Sequence, residues 1–229
     1  IQGGGNEPIY QYDLKKAIRD GVLAEMKLMP LEYELYGDEI AEINKAHAQH
    51  KTDLEEGVPR WKADEKRNIK ISDVRKNARN KIEVFESKLN ELIPHLNRSF
   101  IFADETNYGD DLLNILVHKL NVRTHYGNDD KDNLSRFSKG EINCIINVMK
   151  LSQGIDVQSL NCIVLFATPK GRQFKQRLGR VLRTDPKNLN KIAMVIDFFD
   201  KNHLKENKGS DYNRYKELIE YSEIRKSSQ

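Results

Sequence analysis

The rhythm of apolar and polar positions changes near residue 99. Before it, residues 10–19 read as a short helix. Met29, Leu31, Tyr33 and Leu35 alternate with polar or charged neighbours, a period-two strand signal that Pro30 weakens. Ile40, Ile43, His47, His50 and Leu54 fall three and four apart, as on one face of a helix. The charged stretch 55–68, with Gly57 and Pro59, is expected to be a mobile loop. Its lone Trp61, between Arg60 and Lys62, could stack on a nucleic-acid base, but tucking back onto the core is the plainer expectation. Ile71, Val74, Ala78, Ile82, Phe85, Leu89 and Leu92 mark one long amphipathic helix that Pro94 ends.

From residue 99 short apolar runs alternate with amphipathic ones. Strands are expected at 100–103, 122–125, 144–148, 162–167 and 192–198, and helices at 112–120, 131–137 and 174–182, with a charged helix at 212–224. Strands that alternate with helices predict an α/β fold around a mostly parallel sheet. A hydrophobic share of 38% suffices for one core, and no apolar run is long enough to span a membrane. No signal-peptide pattern opens the chain, so a cytoplasmic location is expected. Cys144 and Cys162 lie inside apolar runs and read as reduced core thiols rather than a disulfide or metal site. The 38 basic residues are offset by 35 acidic ones, so the net charge of +3 alone does not identify a nucleic-acid binder.

Two segments carry chemistry. In Gln176-Arg177-Leu178-Gly179-Arg180-Val181-Leu182-Arg183, helical spacing brings Gln176, Arg180 and Arg183 onto one face. Phe174, Leu178 and Val181 line another face that can bury against the sheet. Gly179 is costly inside a helix, and a close backbone approach would account for it. One amide and two guanidiniums in a fixed array suit the oxygens of a transferring phosphoryl group. Taken alone, such arginines also fit an ordinary surface face paired with carboxylates. The second segment, Leu151-Ser152-Gln153-Gly154-Ile155-Asp156-Val157, follows a strand, where open α/β sheets gather ligands. Gly154 permits close approach, Asp156 can accept from a ribose hydroxyl, and Ser152 can hold a phosphate of a strand. A simple turn would use the same residue types.

In this order and spacing, Ser152 to Val157 resembles motif V and Gln176 to Arg183 resembles motif VI, Q-x-x-G-R-x-x-R, of superfamily 2 helicases. Ser99 to Ala103 looks like the strand near motif IV that opens the second RecA-like domain. The resemblance covers about half the chain, residues 99–199. Tyr10-Gln11-Tyr12-Asp13-Leu14 through Gly21-Val22-Leu23 and Pro30 is similar, more loosely, to the linker of XPB-like repair helicases and restriction-enzyme motor subunits, which points to DNA.

The resemblance implies a RecA-like sheet with an N-terminal helical extension: residues 1–97 as linker and extension, 98–200 as the RecA-like domain, 201–229 as a helical tail. It implies Arg180 as the arginine finger, Arg183 as a second γ-phosphate contact and Gln176 as the group that positions attacking water. Gly154 and Asp156 would face the ribose, and Lys150 and Ser152 the nucleic acid. ATP and Mg would be held mainly by a first RecA-like domain, since no G-x-x-x-x-G-K-[ST] occurs here. Partner subunits could dock on residues 10–94 and 212–224. The alternative is a non-catalytic RecA-like module for nucleic-acid binding or protein interaction. Asp38-Glu39 and Asp104-Glu105 are decoys for an acidic Mg motif, the latter read as a strand end with Asp104 or Thr106 capping the next helix. His47 and His50 are a weak metal candidate.

Overall fold

The computed structural model describes residues 13–126, 129–130, 132–148, 160–168, 171–186, 188 and 190–225. Its spine is a six-stranded sheet in the order β1-β6-β5-β2-β4-β3, in which every neighbouring pair is parallel. The strands are β1 (Glu25–Tyr33), β2 (Ser99–Ala103), β3 (Val122–His125), β4 (Cys144–Val148), β5 (Cys162–Leu165) and β6 (Ile192–Asp200).

β2, β4 and β5 are buried at every position because helices cover both faces, which is why they read as continuous apolar runs. Alternation along each strand still sorts two cores. Phe100, Ile145, Ile163 and Val195 face one, where α7 (Asp132–Ser138), α8 (Arg172–Val181) and α10 (Ser210–Glu223) add Phe137, Leu178 and Leu218. Ile101, Ile146, Val164 and Ile196 face the other, where α4 (Asn80–Ser87), α5 (Leu89–Leu92) and α6 (Thr106–Leu116) add Phe85, Leu92 and Leu112. Cys144 and Cys162 flank Ser99 in register and are free and buried, and burial raises the Cys144 thiol to about 12.

The N-terminal part departs from its expected shape in three places. α1 (Leu14–Arg19), capped by the Asp13 carboxylate, leads into β1, which pairs with β6 and forms an edge of the sheet. Pro30 sits inside this strand, and an edge tolerates a residue with no N–H to donate. Of the loop expected at 55–68, only residues 56–59 form a connection, and residues 60–68 are helical. α2 (Gly37–Glu55) and α3 (Arg60–Lys76) pack on each other as a hairpin. Their seam is polar. Asp53 accepts from Gln49 (2.9 Å) and Lys66 (3.0 Å), His50 meets Asp64 at 2.8 Å, and Lys70 reaches Glu42 at 3.5 Å. Trp61 is 69% exposed and does not tuck onto the core.

The long helix expected from Ile71 to Leu92 is broken at residues 77–79 and again at Lys88, giving α3, α4 and α5. At the first break the Ala78 carbonyl accepts from the Tyr108 hydroxyl (3.0 Å). A five-residue helix, α9 (Lys201–Lys205), capped by Asp200, joins β6 to the final helix.

Candidate functional site

The site is best built from α8. Gly171 precedes it at φ 59°, in the left-handed region that a side chain resists. Phe174, Leu178, Val181 and Leu182 are buried against the sheet. Arg177 belongs to the same inner face. Its guanidinium lies 4.0 Å from the centre of the Phe102 ring and donates to the Ala167 carbonyl at 3.3 Å, and burial lowers its pKa to about 10. The spacing 174, 177–178, 181 carries that signal in the sequence, although arginine disguises it.

Both ends of α8 are anchored. Ahead of it, Lys81 donates to the Phe166 carbonyl (2.9 Å) and Thr168 lies 3.4 Å from Asp197. Behind it, the buried Lys191 ammonium donates to the carbonyls of Val181 (2.9 Å) and Arg183 (2.8 Å), favourable at the negative end of a helix dipole. The Ala24 N–H donates to the Leu182 carbonyl (2.7 Å), and Leu23 bridges Arg183.

On the outer side, Gln176 is exposed and Arg180 half-buried, and neither makes a hydrogen bond or ion pair with a described residue. Arg183 is exposed beyond the helix end. A rigid helix therefore presents an amide and a guanidinium that nothing in the described chain occupies. Gly179 does not answer a close approach: a Cβ there would meet nothing within 4 Å. The other expected ligand residues, Lys150, Ser152, Gly154 and Asp156, lie outside the described residues.

The decoys resolve. Asp104 accepts from Lys76 (3.2 Å) and Asn77 (3.5 Å), and α6 is capped by Glu105 with no side-chain capping bond, not by Asp104 or Thr106. Glu39 accepts from the N–H groups of Tyr36 (2.8 Å) and Arg79 (3.0 Å). Among the described residues no three metal-ligating side chains cluster, and no helix is long and apolar enough to cross a membrane.

A second feature was invisible in the sequence. At the carboxyl end of the sheet, between α3, the end of β5, the start of α8 and the start of α10, lies a cavity of about 550 Å³. Below it Arg75 pairs with Asp200, and Arg214 pairs with Asp197 (2.8 Å) and Asp211 (3.0 Å). The Tyr33 hydroxyl donates to Asp211 at 3.2 Å. Lys81 has no carboxylate within ion-pair distance among the described residues. Its ammonium sits 4.7 Å from the centre of the Tyr33 ring, and desolvation lowers its pKa to about 8.

Between pH about 8 and 10.5 the native state has shed this proton and the unfolded chain still binds it, so stability rises with pH across that window. Lys81→Met is expected to flatten the rise in unfolding free energy from pH 7 to pH 10 by roughly 2–3 kcal/mol. Urea unfolding of both proteins at the two pH values checks this. Equal pH slopes would exclude Lys81 as the source, whereas Lys191, also lowered to about 8, persists in the variant.

A family model described as "Helicase conserved C-terminal domain" matches residues 80–185. The Sulfolobus solfataricus SWI2/SNF2 ATPase core, solved in complex with dsDNA, is 16% identical, with a TM-score of 0.56 over 84% of this chain and 46% of that one. S. cerevisiae Dbp5, solved bound to RNA and ADP BeF3, is 12% identical, with a TM-score of 0.50 over 95% of this chain and 44% of that one. The chain thus spans under half the length of each. No curated protein matches. The shared fold is the RecA-like sheet of helicase C-terminal domains.

Proposed function

We propose that the chain, whose residues 80–185 match the helicase conserved C-terminal domain, is the second RecA-like half of an ATP-driven helicase or translocase of superfamily 2, with DNA as its preferred track. ATP and its Mg are held mainly by a first RecA-like domain of the same protein, and closure of the two domains brings α8 to the γ-phosphate. Arg180 forks onto the oxygens that gain charge as the phosphoryl group leaves, Arg183 makes a second contact, and Gln176 orients the attacking water. Mg supplies charge neutralisation at the phosphates. Gly154 and Asp156 face the ribose, and Lys150 and Ser152 follow the nucleic-acid backbone, whose contacts carry little sequence information.

One observation carries this reading. Gln176 and Arg180 stand without hydrogen-bond or ion-pair partners among the described residues, on a helix whose inner face is buried and whose ends are anchored. A helix serving only as scaffold has no need for a preorganised pair of phosphate-directed groups. DNA is favoured by the similarity of residues 10–30 to the linkers of repair and restriction motors. The experiment measures ATP hydrolysis by the full-length parent with single- and double-stranded DNA and RNA. Stimulation by DNA above RNA is expected. A parent that hydrolyses nothing with any nucleic acid would overturn the motor and leave the non-catalytic module.

A further inference from the structure

We propose that Trp61 stacks on a base of a single nucleic-acid strand that reaches the cavity at the carboxyl end of the sheet along the outer face of α3. The inference rests on the nucleic-acid reading above and adds a contact outside residues 80–185, the span of the helicase family match.

α3 is a wall of that cavity through Asn68, Ser72, Arg75 and Lys76. These residues are spaced four, three and one apart, and Trp61 lies seven before Asn68, so all share one helical face. Seven residues of helix place Trp61 about 10 Å beyond Asn68, roughly three stacked nucleotides at about 3.4 Å each. Trp61 is the second residue of the helix, just after the Gly57-Val58-Pro59 turn at the end of the α2–α3 hairpin, and is 69% exposed. Its neighbours Arg60 and Lys62 are exposed and have no ion-pair partner among the described residues. An accessible indole between two unpaired cations combines a π-face, on which any base can stack, with charge for the adjoining phosphates. Glu65, one turn inward on the same face, limits phosphate contacts along α3, so stacking carries most of the interaction.

Trp61 is the only tryptophan in the chain, so indole emission reports this one position. The chain is titrated with oligothymidylate, oligouridylate and a blunt DNA duplex. Anisotropy of a labelled strand measures binding, and indole emission measures stacking. The expected result is quenching by single strands with the same midpoint as the anisotropy. Trp61→Phe should keep affinity within about threefold, and Trp61→Ala should lose about tenfold. Both substitutions are at an exposed position, and unchanged thermal midpoints verify their fold. Strand binding with unaltered emission, quenching by the duplex alone, or wild-type affinity in Trp61→Ala would each overturn the proposal while leaving the nucleic-acid reading intact. Failure of the chain to bind any strand would also overturn the proposal, with the motor reading decided separately by ATP hydrolysis of the full-length parent.

Discussion

Replacing Arg180 with alanine in the full-length parent is expected to lower nucleic-acid-stimulated ATP hydrolysis by about three to five decades, the scale of arginine fingers in GTPases. The loss should fall on kcat, because a contact made chiefly to charge that develops during the reaction does little for the ground state. Arg180→Lys should recover little, since an ammonium keeps the charge and loses the planar fork. Folding should be nearly untouched. Arg180 is half-buried and has no hydrogen-bond or ion-pair partner among the described residues, and surface changes of that kind stay within about 0.5 kcal/mol. Steady-state kinetics together with a thermal midpoint separate the outcomes. Equal hydrolysis by wild type and variant would remove Arg180 from the role and leave the motor standing.

The largest effect on stability is expected at Arg214. Its guanidinium serves two carboxylates and the Phe198 carbonyl (2.8 Å), while Asp197 is wholly buried within β6. Arg214→Met would strand that carboxylate without its cation, and breaking a buried pair from one side costs about 3–5 kcal/mol. Burial pushes the Asp197 carboxyl up, and Arg214 opposes it. In the variant burial and the neighbouring Asp211 still push it up, opposed by the Phe198 N–H that donates to it at 2.8 Å, and the upward push dominates. A carboxyl whose folded pKa exceeds its unfolded value supports the fold at low pH and loses that support as pH rises. Arg214→Met should therefore weaken steadily above pH about 4. Adding Asp197→Asn should return part of the loss and remove the pH trend. Urea unfolding of both variants across pH tests the assignment, and a single variant as stable as wild type would refute it.

Much of the sheet was legible because its strands are covered on both sides. Cys144 to Val148 can do little else than cross a core, and the run reads so directly. The same logic misled at Ile71 to Leu92. α3 and α4 keep their apolar residues on a common side, so the three-and-four spacing runs unbroken across a gap where the Ala78 carbonyl turns to Tyr108. Residues 60–68 looked like a continuation of the Gly57-Pro59 loop because a helix stabilised by ion pairs to a neighbour carries no apolar stripe. For α8 the two faces were visible, yet Arg177 hid its burial behind its charge. The network of Lys81, Asp197, Asp211 and Arg214 could not be read at all, since its members are up to 133 positions apart and meet only in the folded sheet.

The edges of that sheet have a consequence for how the molecule keeps company. Each outer strand exposes backbone groups able to recruit a further strand, the usual route to domain swapping and fibrillar aggregation. Here β3 is only four residues long, and β1, longer, carries Pro30 in its middle with exposed Lys27 and Glu32 to either side. A strand arriving at β1 would find a missing donor and two solvated charges where a continuous ladder is required. The sheet is in this way closed to growth, so copies of the protein held close together do not extend it edge to edge.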